Sequence, residues 1–100
     1  MLDFTNYEDI PEHTQYSLKM YVEEGYFPGG FLLAVLSNDL MGAFGRADSE
    51  NLEAMPQIVR FIYNRTPCDC WGSVEKVGKF LEGRVYDRLG RATEDFVHGD

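Results

Sequence analysis

Only two of the 100 residues are cysteine, two are histidine and nine are lysine or arginine. Each scarcity excludes something. Cys68 and Cys70 stand one residue apart, and His13 and His98 lie near opposite ends of the chain. Tetrahedral zinc takes four ligands, commonly from two C-x₂₋₄-C or H-x₃₋₅-H pairs, and no such set is present. A C-x-x-C redox pair beside a strand–helix unit is also missing, so two reduced loop thiols are expected. "PGGF" lacks the Lys-Ser/Thr of a phosphate loop, and "FGRAD" is too short for a dinucleotide fingerprint. Asp48, Glu50 and Glu53 cluster without the Asp/Asn ladder and terminal Glu of a calcium loop. His13 adjoins Glu12, but consecutive residues on a helix do not face each other, and no motif positions a nucleophile. The expectation is a non-enzyme: no catalytic residue, no cofactor and no metal.

No apolar run reaches the ~18 residues of a membrane span, and "MLDFTNYEDIPEH" has neither the basic region nor the apolar core of a secretory signal. A cytoplasmic chain with no membrane partner is expected. Basic charge is short where acid is plentiful: 17 acidic residues leave a net charge of −8. Residues 1–50 hold nine acids against Lys19 and Arg46, a net of −7, whereas residues 51–100 hold eight acids against seven bases. Phosphate contacts need clustered lysine and arginine, so direct nucleic-acid binding is disfavoured. An acidic front half suits a basic protein surface instead, or simply keeps a small protein soluble.

What is present is enough for a core. The chain is 44% hydrophobic and 14% aromatic, without repeats, low-complexity tracts or linkers, which points to one domain over residues 1–100. The periodicity predicts an all-α fold of about four helices. The first spans about Pro11 to Glu24, with proline in the first turn, Thr14, Leu18, Tyr21 and Val22 on one face, and Gly25 as its stop. After the "FPGG" turn, a second helix from about Gly30 to Phe44 is apolar on so much of its surface that it should be central. The third starts at a cap on Asp48 or Ser49 and runs to about Asn64. Its apolar pattern passes through Pro56, so it is one kinked helix or two shorter helices meeting there. Ser73 caps a fourth, whose continuation beyond Gly83 is weakly signalled. Residues 1–10 and 97–100 are expected as flexible tails, with Phe4, Tyr7 and Ile10 available to lie against the body. The expected core is Leu18, Tyr21, Leu33, Leu36, Leu40, Phe44, Leu52, Val59, Ile62, Trp71, Val77 and Phe80. Trp71 should give its indole N–H to a backbone carbonyl.

"FLLAVLSNDL" carries a polar interruption inside the second helix. Successive helix positions differ by ~100°, so Ser37, Asn38 and Asp39 cannot share one narrow solvent stripe. At least one should be partly buried and partnered. Asn38 or Asp39 then bonds a loop backbone around residues 66–73, Asp39 pairs with an arginine of the third helix, or the group forms a polar contact site for a partner.

The segments "IPEHT", "FLLAVLSNDL", "ADSENLEAMPQIVRFIYN" and "CWGSVEKV" together resemble a group of small proteins encoded by phages and prophages. The resemblance covers about residues 10–81, and the chain departs from it from Glu82 onward. It supplies no catalytic residue to carry over. It implies a small accessory protein made in the cytoplasm of an infected bacterium. Short, acidic, helical proteins of that kind often bind and block a host protein, including defence components such as CRISPR complexes. On that reading Glu8, Asp9, Glu12, Glu23 and Glu24 form the acidic contact face, and Tyr16, Tyr26 and Phe27 supply anchors. The alternative is a phage structural or assembly protein acting as a homo-oligomer.

Overall fold

A computed structural model describes residues 2–98, and the side chains of residues 2–87. Every regular element among the described residues is helical, in a single small domain: α1 (Glu12–Glu24), α2 (Gly30–Leu36), α3 (Leu40–Arg46), α4 (Ser49–Glu53), α5 (Met55–Arg65) and α6 (Val74–His98), with one 3₁₀ turn at Cys68–Cys70.

Six helices replace the four expected because two of those four are broken, each for a local reason. The expected central helix stops at Leu36. Asn38 takes a left-handed conformation at φ 65°, its N–H donates to the Val35 carbonyl at 3.1 Å, and the Asp39 N–H donates to Ala34 at 2.8 Å. These two bonds are the Schellman pattern that ends a helix, with asparagine in the place glycine usually takes. Asp39 then starts α3 as its N-cap, its carboxylate accepting from the Gly42 N–H at 3.0 Å. The polar triplet is thus a stop followed by a start. Asn38 and Asp39 are exposed and only Ser37 is half-buried, so neither the bond to the 66–73 backbone nor the arginine pair forms. The backbone makes that link: the Gly72 N–H donates to the Leu36 carbonyl at 2.7 Å.

The second break falls at Ala54, between α4 and α5, and of the two readings of Pro56 the structure takes the two shorter helices. Pro56 sits in the first turn of α5, where its missing N–H costs nothing. Asp48 caps α4 by accepting from Asn51 N–H at 2.7 Å, and Ser73 caps α6 by accepting from Lys76 N–H at 3.1 Å.

The core is centred on Tyr21, Phe61, Leu18, Leu36, Ile58, Ile10 and Val77, all essentially inaccessible. Residues 2–10 lie against it. Ile10 is buried, Phe4 stacks on Phe61 with ring centroids 4.2 Å apart, and Tyr7 meets the same ring edge-on at 5.3 Å. Of the expected tail at 97–100, Gly99 and Asp100 fall outside the described residues.

Four expected core residues are not in the core. Leu40, Phe44, Leu52 and Val59 are 66, 46, 48 and 48% exposed. The helix break explains the α3 pair. Restarting the helix at Leu40 resets its rotation, so α3 turns Ala43 inward and leaves Leu40, Met41 and Phe44 in water. Leu33, Trp71 and Phe80 are half-buried. The indole N–H of Trp71 is occluded but has no hydrogen-bond partner, contrary to the expected bond to a carbonyl. Its ring lies 5.8 Å from that of Tyr63, with the Lys76 ammonium 5.8 Å from its centroid.

Candidate functional site

The residues expected to form one contact face, acids and aromatics together, divide among three places. Glu8, Asp9 and Glu12 line an open cleft together with Glu50 and Glu53 of α4, over a floor of Ile10, Pro11, Ala54 and Gln57. No basic residue lines this cleft. Its walls are held together by a buried polar tie: the Thr14 hydroxyl on α1 donates to the Asn51 side-chain oxygen on α4 at 2.5 Å. Both residues are buried, and the bond satisfies two groups that would otherwise be desolvated without a partner. At the end of the same contact His13 lies 3.4 Å from Asp48, with both side chains more than half exposed. The tie sets the first turn of α1 beside α4 and so brings Glu12 to Glu50 and Glu53. Sequence reading missed Glu50 and Glu53 as members, finding in them only a cluster without the spacing of a calcium loop. The available signal was Thr14, a polar residue on the apolar stripe of α1.

Glu8 is fixed by local geometry. Its carboxylate accepts from the Asn6 N–H at 3.0 Å, and that bond, with one from its own backbone N–H, holds its pKa below the ordinary glutamate value. It stays charged as the solution becomes mildly acidic. The Gln57 side-chain oxygen at the cleft floor is occluded and has no partner.

Glu23 belongs elsewhere. It is half-buried and accepts from the Leu2 N–H at 3.3 Å, which ties the N-terminal segment to α1. Glu24, also half-buried, neighbours it at the end of α1. Tyr16 and Phe27, 64 and 66% exposed, border a shallow depression with Ser17, Met20 and Tyr26. These aromatics and the acidic cleft line separate depressions.

Asn38 and Asp39 border a third feature, which the sequence did not announce. An apolar groove of about 200 Å³ runs between α3 and α5, lined by Val35, Leu40, Ala43, Met55, Val59, Tyr63 and Trp71, among others, with Asp39 its one charged lining residue. Five of its lining residues, Leu36, Leu40, Val59, Ile62 and Trp71, were expected inside the core.

Both cysteines are free. Cys68 is exposed, whereas burial pushes the Cys70 thiol above its ordinary pKa, outweighing a hydrogen bond with Thr66 that works the other way. Among the described residues no group of three or more histidine, cysteine, aspartate or glutamate side chains is placed to hold a metal ion, and no helix is long and apolar enough to cross a membrane. Compared with family models, curated proteins and solved structures, the chain matches none.

Proposed function

We propose that this chain is a non-enzymatic protein-binding protein whose acidic cleft engages a basic surface on another protein. The observation that carries this is the convergence of five carboxylates, from Glu8, Asp9, Glu12, Glu50 and Glu53, on one open cleft without a basic neighbour in its lining. Such a surface attracts a positively charged partner from a distance and penalises an acidic one. The buried Thr14–Asn51 bond pre-positions the two walls, so less ordering is left to occur on binding.

The resemblance to phage-encoded proteins supplies the setting for this proposal: the cytoplasm of an infected bacterium, with a host protein as partner and its inhibition or modulation as the outcome. A defence component such as a CRISPR complex is the target class that setting suggests. Glu23 is withdrawn from the contact face because its carboxylate holds Leu2.

The test compares tagged wild type with a Glu8→Lys/Asp9→Lys/Glu12→Lys variant in affinity capture from bacterial lysate read by mass spectrometry, with circular dichroism to verify the fold. One host complex captured by wild type and lost in the variant is the expected result. The same complex captured equally by both would remove the cleft from the contact, and a wild type that captures nothing would remove host binding.

A further inference from the structure

α3 presents its apolar residues backwards for a helix at the surface of a lone domain. Its buried residue is the small Ala43, while Leu40, Met41 and Phe44 are 66, 82 and 46% exposed. Across the groove, α5 exposes Val59 and Tyr63, the latter at 70%. For ordinary residue areas, about 150–250 Å² for an aromatic, these five residues leave roughly 600 Å² in water, of which about 500 Å² is apolar. The largest apolar patch on a typical monomer is about 300–600 Å², and a standard protein–protein interface buries about 800 Å² on each partner. The patch therefore stands at the upper end of what a monomer exposes and supplies most of one partner's share of a standard interface.

The charge pattern says which partner can reach it. α2, α3 and α5 together contain no acidic residue, and they carry Arg46, Arg60 and Arg65. In a chain with 17 acidic residues, the groove between α3 and α5 is almost without negative charge, Asp39 being the exception at its edge. Two copies with a net charge of −8 each repel through most of their surfaces. They approach without opposing carboxylates when the α3–α5 faces meet. The groove's lining offers a basic partner only Asp39, in contrast to the five carboxylates of the acidic cleft.

We infer that the α3–α5 face is the interface of a symmetric homodimer, in which the groove of each copy receives apolar side chains of the other. A two-fold arrangement sets the same patch against itself and covers it on both copies at once. Tyr63, its ring tilted at 50° to that of Trp71, and Phe44 are its aromatic anchors. The acidic cleft is lined by other residues, so the dimer stands or falls independently of the proposed function.

Sedimentation equilibrium of the 100-residue chain from about 1 to 100 μM, a range chosen to bracket interfaces of this size, tests the inference. The expected species is two chains of 11.5 kDa. Leu40→Arg and Val59→Arg, made separately, each place a charge at an apolar contact, and each should weaken dimerisation by at least about 100-fold. Both side chains are substantially exposed in the single chain, so helical circular dichroism persists. Tyr16→Arg, outside the patch, leaves dimerisation as in wild type. A wild type that remains monomeric throughout overturns the inference. So does a dimer that survives both α3–α5 substitutions, because its interface would then lie elsewhere.

Discussion

Replacing Tyr21 by phenylalanine isolates one bond that holds the groove wall to the core. The Tyr21 hydroxyl donates to the Cys70 carbonyl at 2.6 Å, both residues are fully inaccessible, and the two lie 49 positions apart in sequence. Phenylalanine keeps the ring and its contact with Phe80, whose centroid is 5.1 Å away, so no large cavity opens. What is lost is a net hydrogen-bond contribution of about 0.5–1.5 kcal/mol, compounded by a carbonyl left desolvated, for a total of about 1–3 kcal/mol. In a domain of this size each kcal/mol moves Tm by about 4–8 °C, so the variant should melt roughly 5–20 °C lower. Thermal melting followed by far-ultraviolet circular dichroism reads this directly, with urea unfolding as a second measure. The urea m-value should not change, because the surface exposed on unfolding is the same. The bond also anchors the 3₁₀ turn that leads into Trp71, so Trp71 fluorescence in the folded variant should report a looser surrounding. A Tm within about 2 °C of wild type would refute the reasoning, since it would mean that the carbonyl is satisfied by another partner or by water.

Two further predictions concern backbone crowding and pH. Gly25 ends α1 at φ 73°, and a Cβ there would overlap the Cβ of Arg84 on α6, whereas Gly78 has open space around it. Gly25→Ala should therefore destabilise by more than about 1 kcal/mol, and Gly78→Ala should stabilise by about 0.5–1 kcal/mol, as urea unfolding would show; equal effects of the same sign would contradict the packing of α6 on α1. Burial holds both the Cys70 thiol and the Tyr21 phenol protonated above their ordinary pKa values. The unfolded chain releases those protons from about pH 8.5 and about pH 10. It then binds fewer protons than the folded chain, so stability falls as pH rises through that range. Cys70→Ala should flatten the first part of this alkaline decline in a Tm-versus-pH series, and an unchanged slope would show that Cys70 is not its source.

The helix content, the cap at Asp48, the stop at Gly25 and the inward face of α1 were legible because they depend on residues within a turn or two of one another. Apolar spacing places Leu18, Tyr21 and Val22 on one side, and a left-handed position after a helix favours glycine whatever surrounds it. The polar triplet of "FLLAVLSNDL" was legible as an anomaly, yet its meaning was local too. Asparagine tolerates a left-handed position and aspartate caps the next helix. An apolar pattern running across the triplet conceals this by suggesting a single helix.

The sequence by itself determined the helical class, the acidity and the absence of recognised catalytic or metal-binding spacings, since these follow from composition and short-range order. Only the tertiary structure decided which apolar residues are core. Periodicity shows that Leu40, Phe44 and Val59 share helix faces with other apolar residues, but not whether anything in the same chain covers those faces. It likewise took the Thr14–Asn51 bond, spanning 37 positions, to gather carboxylates from two distant segments into one cleft. Contacts across such separations are set by how helices pack, and no local pattern records them.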